Sequence, residues 1–153
     1  MQAIKQVVLS NNKRATYDYF IHEKIEAGMV LVGSEVRACF DGKMNLKNAY
    51  ITIKNGEAFL IDCHIGEHHG GFYGTHEPLR ERKLLLHRKQ IAKLAGHVSE
   101  QGYTIIPMNA YRIKGKIKVE IAVAEGKKKY DKRHAIAKKD AERNIERAMK
   151  GQY

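Results

Sequence analysis

Two stretches of alternating polarity constrain the fold of this chain more than any other feature of its sequence. In "KIKVEIAVA" apolar side chains occupy every odd position from Ile117 to Val123, and a period of two is typical of a half-buried β-strand. In "AYITIKNGEAFLIDCHI" two apolar, alternating runs flank Asn55-Gly56, a pair strongly favoured in two-residue hairpin turns. The sequence therefore predicts antiparallel β-hairpins as the framework of the fold.

Further strands are predicted on either side of these hairpins. "TIIPMNAYRI" precedes "KIKVEIAVA", and Lys114-Gly115 between them predicts another hairpin turn. Pro107 cannot donate a backbone hydrogen bond, so it indicates an edge strand or a bulge. "TYDYFIHEKIEAGMVLV" predicts one more strand, with Tyr17 and Tyr19 on the same face and a bend or bulge at Gly28.

Two short helices are predicted between the strands. "GSEVRACF" is expected to form the first, with Ser34 as its N-cap and Gly42 just beyond its end. "HRKQIAKLAGHVSEQG" has apolar residues at helical spacing and is expected to end at Gly102. Five or more strands with such helices predict a mainly β protein, built as a small closed or partly closed barrel.

The net charge of +11 restricts the partners of this chain. A protein this basic is expected to bind a polyanion, most commonly nucleic acid. An anionic membrane surface is the alternative, but no basic stretch carries the broad apolar face of an interfacial helix. No apolar run approaches the roughly 20 residues needed to span a bilayer, and no secretion signal is recognised. We therefore expect a cytoplasmic protein, with Cys39 and Cys63 as buried free thiols.

The last 28 residues, 126–153, differ in character from the rest of the chain. They contain ten Lys/Arg against four Asp/Glu, and no Val, Leu or Phe. Their apolar stripe, mostly alanine, buries too little surface to hold a helix against the body. We expect residues 1–125 to form the folded body and residues 126–153 a basic tail that is disordered until it meets a negatively charged partner. A solvated tail with no defined bound structure is the alternative.

Several clusters invite catalytic or metal-binding interpretations. Cys63, His64, His68, His69 and His76 are close in sequence, but their spacing matches no known zinc motif. An acid–base pair among histidines would suit a ribonuclease. Glu23 with Glu26, or Glu77 with Glu81, could act as a pair of catalytic carboxylates. No nucleophile elbow or phosphate loop accompanies them, so polar loops and surface ion pairs are the simpler interpretations. The histidines of the ribonuclease alternative are His22, His64 and His87.

Basic residues interleaved with aromatic ones point more directly to RNA. Cations neutralise phosphates while flat rings stack on unpaired bases. The segment that contains Asn12, Lys13, Arg14, Tyr17 and Tyr19 has this composition. For either tyrosine alone, cross-strand packing is an equally good explanation. Basic residues also surround the apolar run of "LRERKLLLHRK", residues 79–89.

Several motifs occur together in an order and spacing that closely resemble the SsrA-binding protein family, SmpB. They are NKRA, the YF…EAG…GSEV run, RKLLL and the GKK-x-x-DKR segment, and the resemblance extends from about Asn11 to Lys150. It implies an OB-fold-like β-barrel with two or three short flanking helices. It also implies binding to the tRNA-like domain of transfer-messenger RNA (tmRNA), near its D-loop and elbow. The residues that match the family's tmRNA-binding positions are Asn12, Lys13, Arg14, Tyr19, Glu26, Lys83 and Leu85.

The resemblance gives the individual residues specific roles. Leu85 is expected to pack beneath the surface. Glu26 is expected to accept hydrogen bonds from base edges or to orient a neighbouring arginine. The tail is expected to enter the decoding site and empty mRNA channel of a stalled ribosome as a helix, through residues that match the family motif. These are Lys127, Lys128, Lys129, Asp131, Lys132 and Arg133. Tyr17 and Tyr130 fall where some relatives carry histidine, and either flat ring could stack on a decoding-site base.

The implied function is that of a non-enzymatic adaptor for ribosome rescue, a monomer without a cofactor. Its expected partners are tmRNA, the 16S rRNA of the ribosome, and elongation factor Tu carrying alanyl-tmRNA. Phe40-Asp41 and Tyr130 depart from the residues of some relatives, so one basic contact and one stacking role are in question. General structured-RNA binding, association with the ribosome, and the histidine ribonuclease remain the alternatives.

Overall fold

The computed structural model describes residues 6–68, 76–127 and 143, and within them the protein is mainly β. Twelve elements follow one another along these residues. The strands are β1 (Gln6–Asn11), β2 (Tyr19–Met29), β3 (Met44–Asn45), β4 (Tyr50–Lys54), β5 (Glu57–Ile61), β6 (His64–Ile65), β7 (Arg82–Leu85), β8 (Thr104–Ile113) and β9 (Lys116–Gly126). The helices are α1 (Ala15–Asp18), α2 (Gly33–Phe40) and α3 (Arg88–Gln101).

The large sheet closes on itself. Its strand order is β1-β8-β4-β5-β7-β2-β9, and β8 also pairs with β9. Six strands therefore form a closed ring, and β1 is added to it along β8. Strands β3 and β6 form a separate two-stranded sheet. This ring of antiparallel strands agrees with the predicted small, closed β-architecture.

The two predicted hairpin turns are confirmed, and their geometry explains their residues. Asn55 and Gly56 have φ of 52° and 74°, and Lys114 and Gly115 have φ of 51° and 73°. Both central residues of a type I′ turn need positive φ, which glycine adopts without strain and asparagine tolerates. These turns fix the registers of β4 with β5 and of β8 with β9.

Extra residues in the ladders bend the long strands. Between Pro107 and Asn109 the pairing with β9 shifts by one residue, so the bulge predicted near Pro107 is present. In β2 the shift lies at His22, whereas the register is continuous through Gly28. The predicted bulge at Gly28 is therefore absent, and at this residue β2 begins to pair with β7.

The start of the predicted strand at residues 16–32 also differs. Tyr17 lies in the single turn of α1, and β2 begins only at Tyr19. The two tyrosines therefore do not share a strand face. The backbone N–H of Tyr17 donates to the carbonyl oxygen of Arg14, 3.1 Å away, and this local turn takes the place of a strand ladder.

The inward faces of the strands fill the ring with aliphatic side chains. Leu60, Val119 and Ile121 are among the fully buried ones. Cys39 and Cys63 are buried as free thiols, as predicted. Burial in this apolar interior raises the pKa of each thiol to about 12, so both remain protonated and inert at neutral pH.

Helix α2 is fixed to the ring by a buried cluster of charges. The carboxylate of Glu35 lies 2.5 Å from Nε of Arg82 and 2.5 Å from a terminal nitrogen of Arg80. It also accepts the backbone N–H of Val32 at 2.9 Å. Val32 is thus the N-cap, and the prediction of Ser34 in that place is wrong, because the Ser34 hydroxyl pairs with His76 instead.

The predicted second helix corresponds to α3. It ends where predicted, at Gly102, whose left-handed φ of 67° closes the helix. Leu94 is buried in the core, whereas Val98 of the same stripe is 41% exposed. Within the described parts of the chain, no helix combines the length and apolar character that crossing a membrane requires.

Candidate nucleic-acid interface

The first group of predicted RNA-binding residues surrounds α1. We call Asn12, Lys13, Arg14, Tyr17, Tyr19 and Lys127 the amino-terminal surface. The backbone N–H of Asn12 donates to the carbonyl oxygen of Met108, 2.8 Å away, and its amide donates to that of Pro107, 3.0 Å away. Asn12 thus satisfies two carbonyl groups of the β8 bulge, and this anchors the chain where it turns into α1.

Lys13 and Arg14 extend from this anchor into solvent. Both are exposed, and neither forms an ion pair or side-chain hydrogen bond with another described residue. Tyr17 on α1 is 57% exposed, whereas Tyr19 is half-buried and packs on a small cluster around Ala15 and Ile106. Anchored, unpaired cations beside an exposed ring suit a polyanion with unpaired bases.

The beginning of the tail lies against the same surface. The backbone N–H of Lys127 donates to the carbonyl oxygen of Asp18 at 2.9 Å, and its ammonium group donates to that of Thr16 at 3.1 Å. The ammonium also lies 5.1 Å from the centre of the Phe20 ring. The structure thus brings Lys127 and α1 together. The other predicted ribosome-binding residues of the tail lie outside the described residues: Lys128, Lys129, Tyr130, Asp131, Lys132 and Arg133.

The second group of predicted residues surrounds the other end of β2. We call Glu26, Lys83, Leu85, Tyr111 and Lys118 the Glu26 surface. The carboxylate of Glu26 accepts a hydrogen bond from the hydroxyl of Tyr111 and another from the ammonium group of Lys118, which lies 2.9 Å away. The cation that Glu26 holds is therefore a lysine, not the arginine that the sequence suggested.

These contacts set the charge of the Glu26 surface. The hydrogen bond from Tyr111 and then that from Lys118 hold the pKa of Glu26 below its ordinary value of 4.5. Burial, aided by the Glu26 carboxylate, raises the pKa of Tyr111 above its ordinary value of 10. At neutral pH, Glu26 is therefore an anion whose oxygens are already oriented by two donors.

Leu85 and Lys83 form the β7 side of the Glu26 surface, with Lys83 two residues farther from Glu26 along the strand than Leu85. The ammonium group of Lys83 is paired with Glu57 at 3.2 Å. Leu85 is opposite Gly28 in the ladder and is 55% exposed, so the prediction that it packs beneath the surface is wrong. Its neighbour Leu84 takes the buried position at 1% exposure, because successive strand residues point to opposite faces.

The predicted tmRNA-binding residues thus divide between two surfaces. Glu26 lies seven positions after Tyr19 in β2, which corresponds to roughly 23 Å at the rise of a β-strand. One base or phosphate cannot contact both surfaces, but a folded RNA can. The arrangement therefore indicates an extended footprint along β2.

Sequence reasoning missed Tyr111 and Lys118, and a usable signal existed. A two-residue turn at Lys114-Gly115 places Tyr111 opposite Lys118 in an antiparallel ladder. It also missed that Arg82 is fully buried in the Glu35 cluster. Arg82 cannot neutralise a phosphate, although its position in a basic stretch suggested that it could.

Arg112 places a positive charge beside Phe40, the last residue of α2. The guanidinium carbon of Arg112 lies 4.2 Å from the centre of the Phe40 ring. Cation–π contacts of this kind hold an arginine over a ring while its edge stays free for hydrogen bonds. Positive charge beside Phe40 therefore comes from β8.

The histidines are distributed over separate elements. His22 lies in β2 and stacks on Tyr103, with ring centres 4.7 Å apart, whereas His64 lies in β6 and His87 caps α3. Both ring nitrogens of the buried His76 are occupied, by Ser34 at 2.8 Å and the Ile65 carbonyl oxygen at 2.9 Å. Among the described residues no group of three His, Cys, Asp or Glu is arranged to hold a metal ion, and His69 lies outside them.

Comparison with protein families and individual proteins gives consistent matches. The family described as SmpB protein matches residues 9–151. An SsrA-binding protein from Symbiobacterium thermophilum is 49% identical over 146 residues, which cover 95% of this chain and 92% of the relative. An SsrA-binding protein from Shouchella clausii is 52% identical over 143 residues, which cover 94% and 92%.

A solved structure gives the same result at the level of the fold. The chain is similar to one in the structure described as "tmRNA-SmpB: a journey to the center of the bacterial ribosome". The TM-score is 0.66 and the identity 35%, with 82% of this chain and 92% of that chain covered. The family match over residues 9–151 includes both surfaces described above.

Proposed function

This chain belongs to the SmpB protein family, and from this membership we propose that it is the RNA-binding adaptor of trans-translation. It binds tmRNA and acts with it on ribosomes that lack a downstream codon. The observation that carries the proposal is the extent of the family match. Residues 9–151 include the amino-terminal surface, the Glu26 surface and the basic tail.

We propose that the two surfaces bind tmRNA and that the tail binds the ribosome. The amino-terminal surface supplies the exposed cations Lys13 and Arg14, which pair with no described residue, and the Glu26 surface supplies an oriented carboxylate beside Lys118. Together they suit the tRNA-like domain of tmRNA, through residues Asn12, Lys13, Arg14, Tyr19, Glu26, Lys83 and Leu85. Because Lys83 and Leu85 are exposed, both can contact RNA directly.

The tail is proposed to act on the ribosome. Residues 127–133 would enter the decoding site and the empty mRNA channel, where rRNA phosphates offset the repulsion among the tail's cations. Lys127, the first residue of this segment, contacts α1. Tyr17 lies in the same helix and is therefore close to the start of the tail. Elongation factor Tu would carry the alanyl-tmRNA complex to the ribosome in the cytoplasm.

An adaptor needs no catalytic group of its own in this scheme. Peptide-bond formation belongs to the ribosome, and at least one histidine of the ribonuclease alternative serves other contacts here. His22, for example, stacks on Tyr103 and pairs with Glu125 at 3.2 Å. The protein is therefore proposed to bind and position RNA without cleaving it.

The division of labour is tested by deleting residues 128–153. The deletion leaves β9 intact to Gly126 and keeps the contacts of Lys127 with α1. We expect affinity for the tRNA-like domain of tmRNA to be unchanged, and tagging on a message without a stop codon to be abolished in reconstituted translation.

The matched variant is Glu26→Gln with the tail intact, which should weaken tmRNA binding because it removes the negative charge and one of the two acceptor oxygens that Tyr111 and Lys118 contact. Binding of an elongator tRNA of similar size is measured in parallel. If the full chain does not prefer the tmRNA fragment to this tRNA, or if tagging survives the deletion, the proposed function is wrong.

A further inference from the structure

A cleft of about 220 Å³ opens between α1 and the segment that leads into β4. One part of its lining belongs to the amino-terminal surface, and another part, residues 47–50, comes from a segment with no assigned role. The lining residues are Asn12, Arg14, Ala15, Asp18, Tyr19, Lys47, Asn48, Ala49, Tyr50, Thr104 and Ile106.

The charges in this cleft are not neutralised in the way that they are elsewhere on the ring. Lys47 is exposed and forms no side-chain ion pair or hydrogen bond with a described residue, as is also true of Arg14. On the same strand as Tyr50, Lys54 is paired with Glu81 at 3.1 Å. Asp18 is the one carboxylate among the residues that line the cleft, so the lining carries two cations and a single acid.

The segment that carries Lys47 is held in one conformation. The Asn45 side chain accepts the backbone N–H of Lys47 at 2.9 Å, and the backbone N–H of Ala49 donates to the Leu46 carbonyl oxygen at 3.0 Å. Leu46 and Ala49 are buried, and Asn48 adopts a left-handed φ of 68°. A segment anchored in this way presents its outward side chains with little loss of entropy on binding.

Tyr50 adds an aromatic surface beside these cations. It starts β4, pairs with Ile61 across the ladder and is 41% exposed. Among the described residues its ring takes part in no stacked pair, unlike that of Tyr103. An exposed ring next to free cations is the combination on which single-stranded nucleic acids stack.

We propose that this cleft binds one unpaired nucleotide of the RNA, with the base stacked on Tyr50 and the phosphate between Arg14 and Lys47. The cleft is smaller than the roughly 300–1,000 Å³ of pockets that enclose whole ligands, so it suits a single flipped-out base. The inference rests on the proposed function, since it concerns how the same RNA is held. It adds residues 47–50 to the amino-terminal surface.

The charge contribution is tested with Lys47→Ala against Lys54→Ala. Both variants lose one positive charge from an exposed lysine near an end of β4, but only Lys47 lines the cleft. Affinity for the tRNA-like domain of tmRNA is measured by fluorescence anisotropy over a series of salt concentrations. Lys47→Ala should weaken binding severalfold and flatten the slope of log K against log salt by about 0.7–0.9, the loss of one phosphate contact. Lys54→Ala should change neither.

The stacking contribution is tested with Tyr50→Phe and Tyr50→Leu. Phenylalanine keeps the flat ring, so binding should be retained, whereas leucine keeps apolar bulk without a ring and should weaken binding about five- to tenfold, within the range for one stacked base. Melting temperatures show whether each variant is folded. If Tyr50→Leu is unfolded, the comparison of the two lysine variants decides alone.

The outcomes separate this inference from the function on which it rests. Equal affinity and salt slope for Lys47→Ala and Lys54→Ala would overturn the nucleotide site, and so would tight binding by folded Tyr50→Leu. Either result leaves the preference of the full chain for tmRNA over an elongator tRNA intact. Loss of that preference in the unaltered protein would instead contradict the proposed function itself.

Discussion

At the scale of single residues, neighbours of similar chemistry have opposite roles in this protein. Arg82 is fully buried and bound to Glu35, whereas Lys83, the next residue, is exposed and paired with Glu57 in solvent. Leu84 and Leu85 differ in the same way. Strand alternation separates the two members of each pair, so the role of a residue follows from its face and not from its type.

Glu26 provides a prediction at this scale. Its strongest contact is the hydrogen bond from Tyr111, which holds its pKa below 4.5. Tyr111→Phe removes that donor and leaves Lys118 in place, so we expect the pKa of Glu26 to rise toward its ordinary value. The measurement is a titration of the Glu26 side-chain carboxyl carbon by NMR, with Tyr103→Phe as the control, since Tyr103 contacts His22 and not Glu26.

The sign of the accompanying pH dependence follows from linkage. Because the folded-state pKa of Glu26 lies below the unfolded value, its contribution to stability is present above about pH 4.5 and is lost as the pH falls through the folded-state pKa. Glu26 is exposed, so this contribution is within about 1 kcal/mol. An unaltered Glu26 pKa in Tyr111→Phe would show that the hydroxyl does not control the carboxylate.

At the scale of elements, the cluster of Glu35, Arg80 and Arg82 joins α2 to β7. Burial alone would raise the pKa of Glu35, but hydrogen bonds from Arg80, the Val32 N–H and Arg82 outweigh it and lower the pKa. Arg82 also donates to the carbonyl oxygen of Cys63 at 2.5 Å. One side chain thus ties α2, β7 and the segment before β6 together.

We predict that Arg82→Met destabilises the fold strongly. It leaves the buried Glu35 carboxylate with an incomplete set of partners, and breaking one side of a buried pair costs about 3–5 kcal/mol. The free energy of unfolding is measured by urea denaturation at neutral pH. The matched control is Lys83→Met, whose exposed pair with Glu57 should contribute less than about 1 kcal/mol.

The double variant Glu35→Leu/Arg82→Met tests whether the two charges act as a pair. Removing both leaves no fully buried charge without a partner, since Arg80, the third member of the cluster, is 36% exposed. The loss of stability should therefore be smaller than the sum of the two single losses. Strict additivity would mean that Glu35 and Arg82 stabilise the protein independently, and the proposed link between α2 and β7 would then lack energetic support.

The same scale shows which elements could be predicted from sequence. The hairpins at Asn55-Gly56 and Lys114-Gly115 were predictable because a two-residue turn and its flanking alternation are local signals. Strands β1 and β7 were missed because their strand state depends on pairing with β8, β2 and β5, far along the chain. The single turn of α1 is too short to have a period, so Tyr17 was assigned to a strand.

The candidate site was predictable to a similar extent. Motif resemblance supplied Glu26 and Leu85, but not the partners of Glu26 or the exposure of Leu85, since both require the registers of β2 with β7 and β9. The cleft at residues 47–50 had no sequence signal at all. Lys47 and Arg14 are far apart in the chain, and only closure of the sheet makes both line one cleft.

At the scale of the whole molecule, positive charge is divided between the folded body and the tail. Residues 128–153 contain nine Lys/Arg against four Asp/Glu, which leaves +6 of the net +11 to the rest of the chain. Each phosphate contact adds a roughly constant increment to the dependence of binding on salt. The salt dependence of binding, measured with and without the tail, therefore shows how many phosphates of each RNA the body and the tail contact.

We predict that deletion of residues 128–153 affects the two RNA partners differently. For the tRNA-like domain of tmRNA the slope of log K against log salt should change by less than about one, because the contacts of the body remain. For ribosomes stalled without downstream message, the magnitude of this slope should fall by several times the increment of one phosphate contact, because every contact of the tail is lost. Ribosomes whose mRNA channel is filled are the control and should show the smaller slope with either protein. If the slope for tmRNA falls by several such increments instead, the tail contacts tmRNA. The proposal that the body binds tmRNA while the tail binds the ribosome would then be wrong.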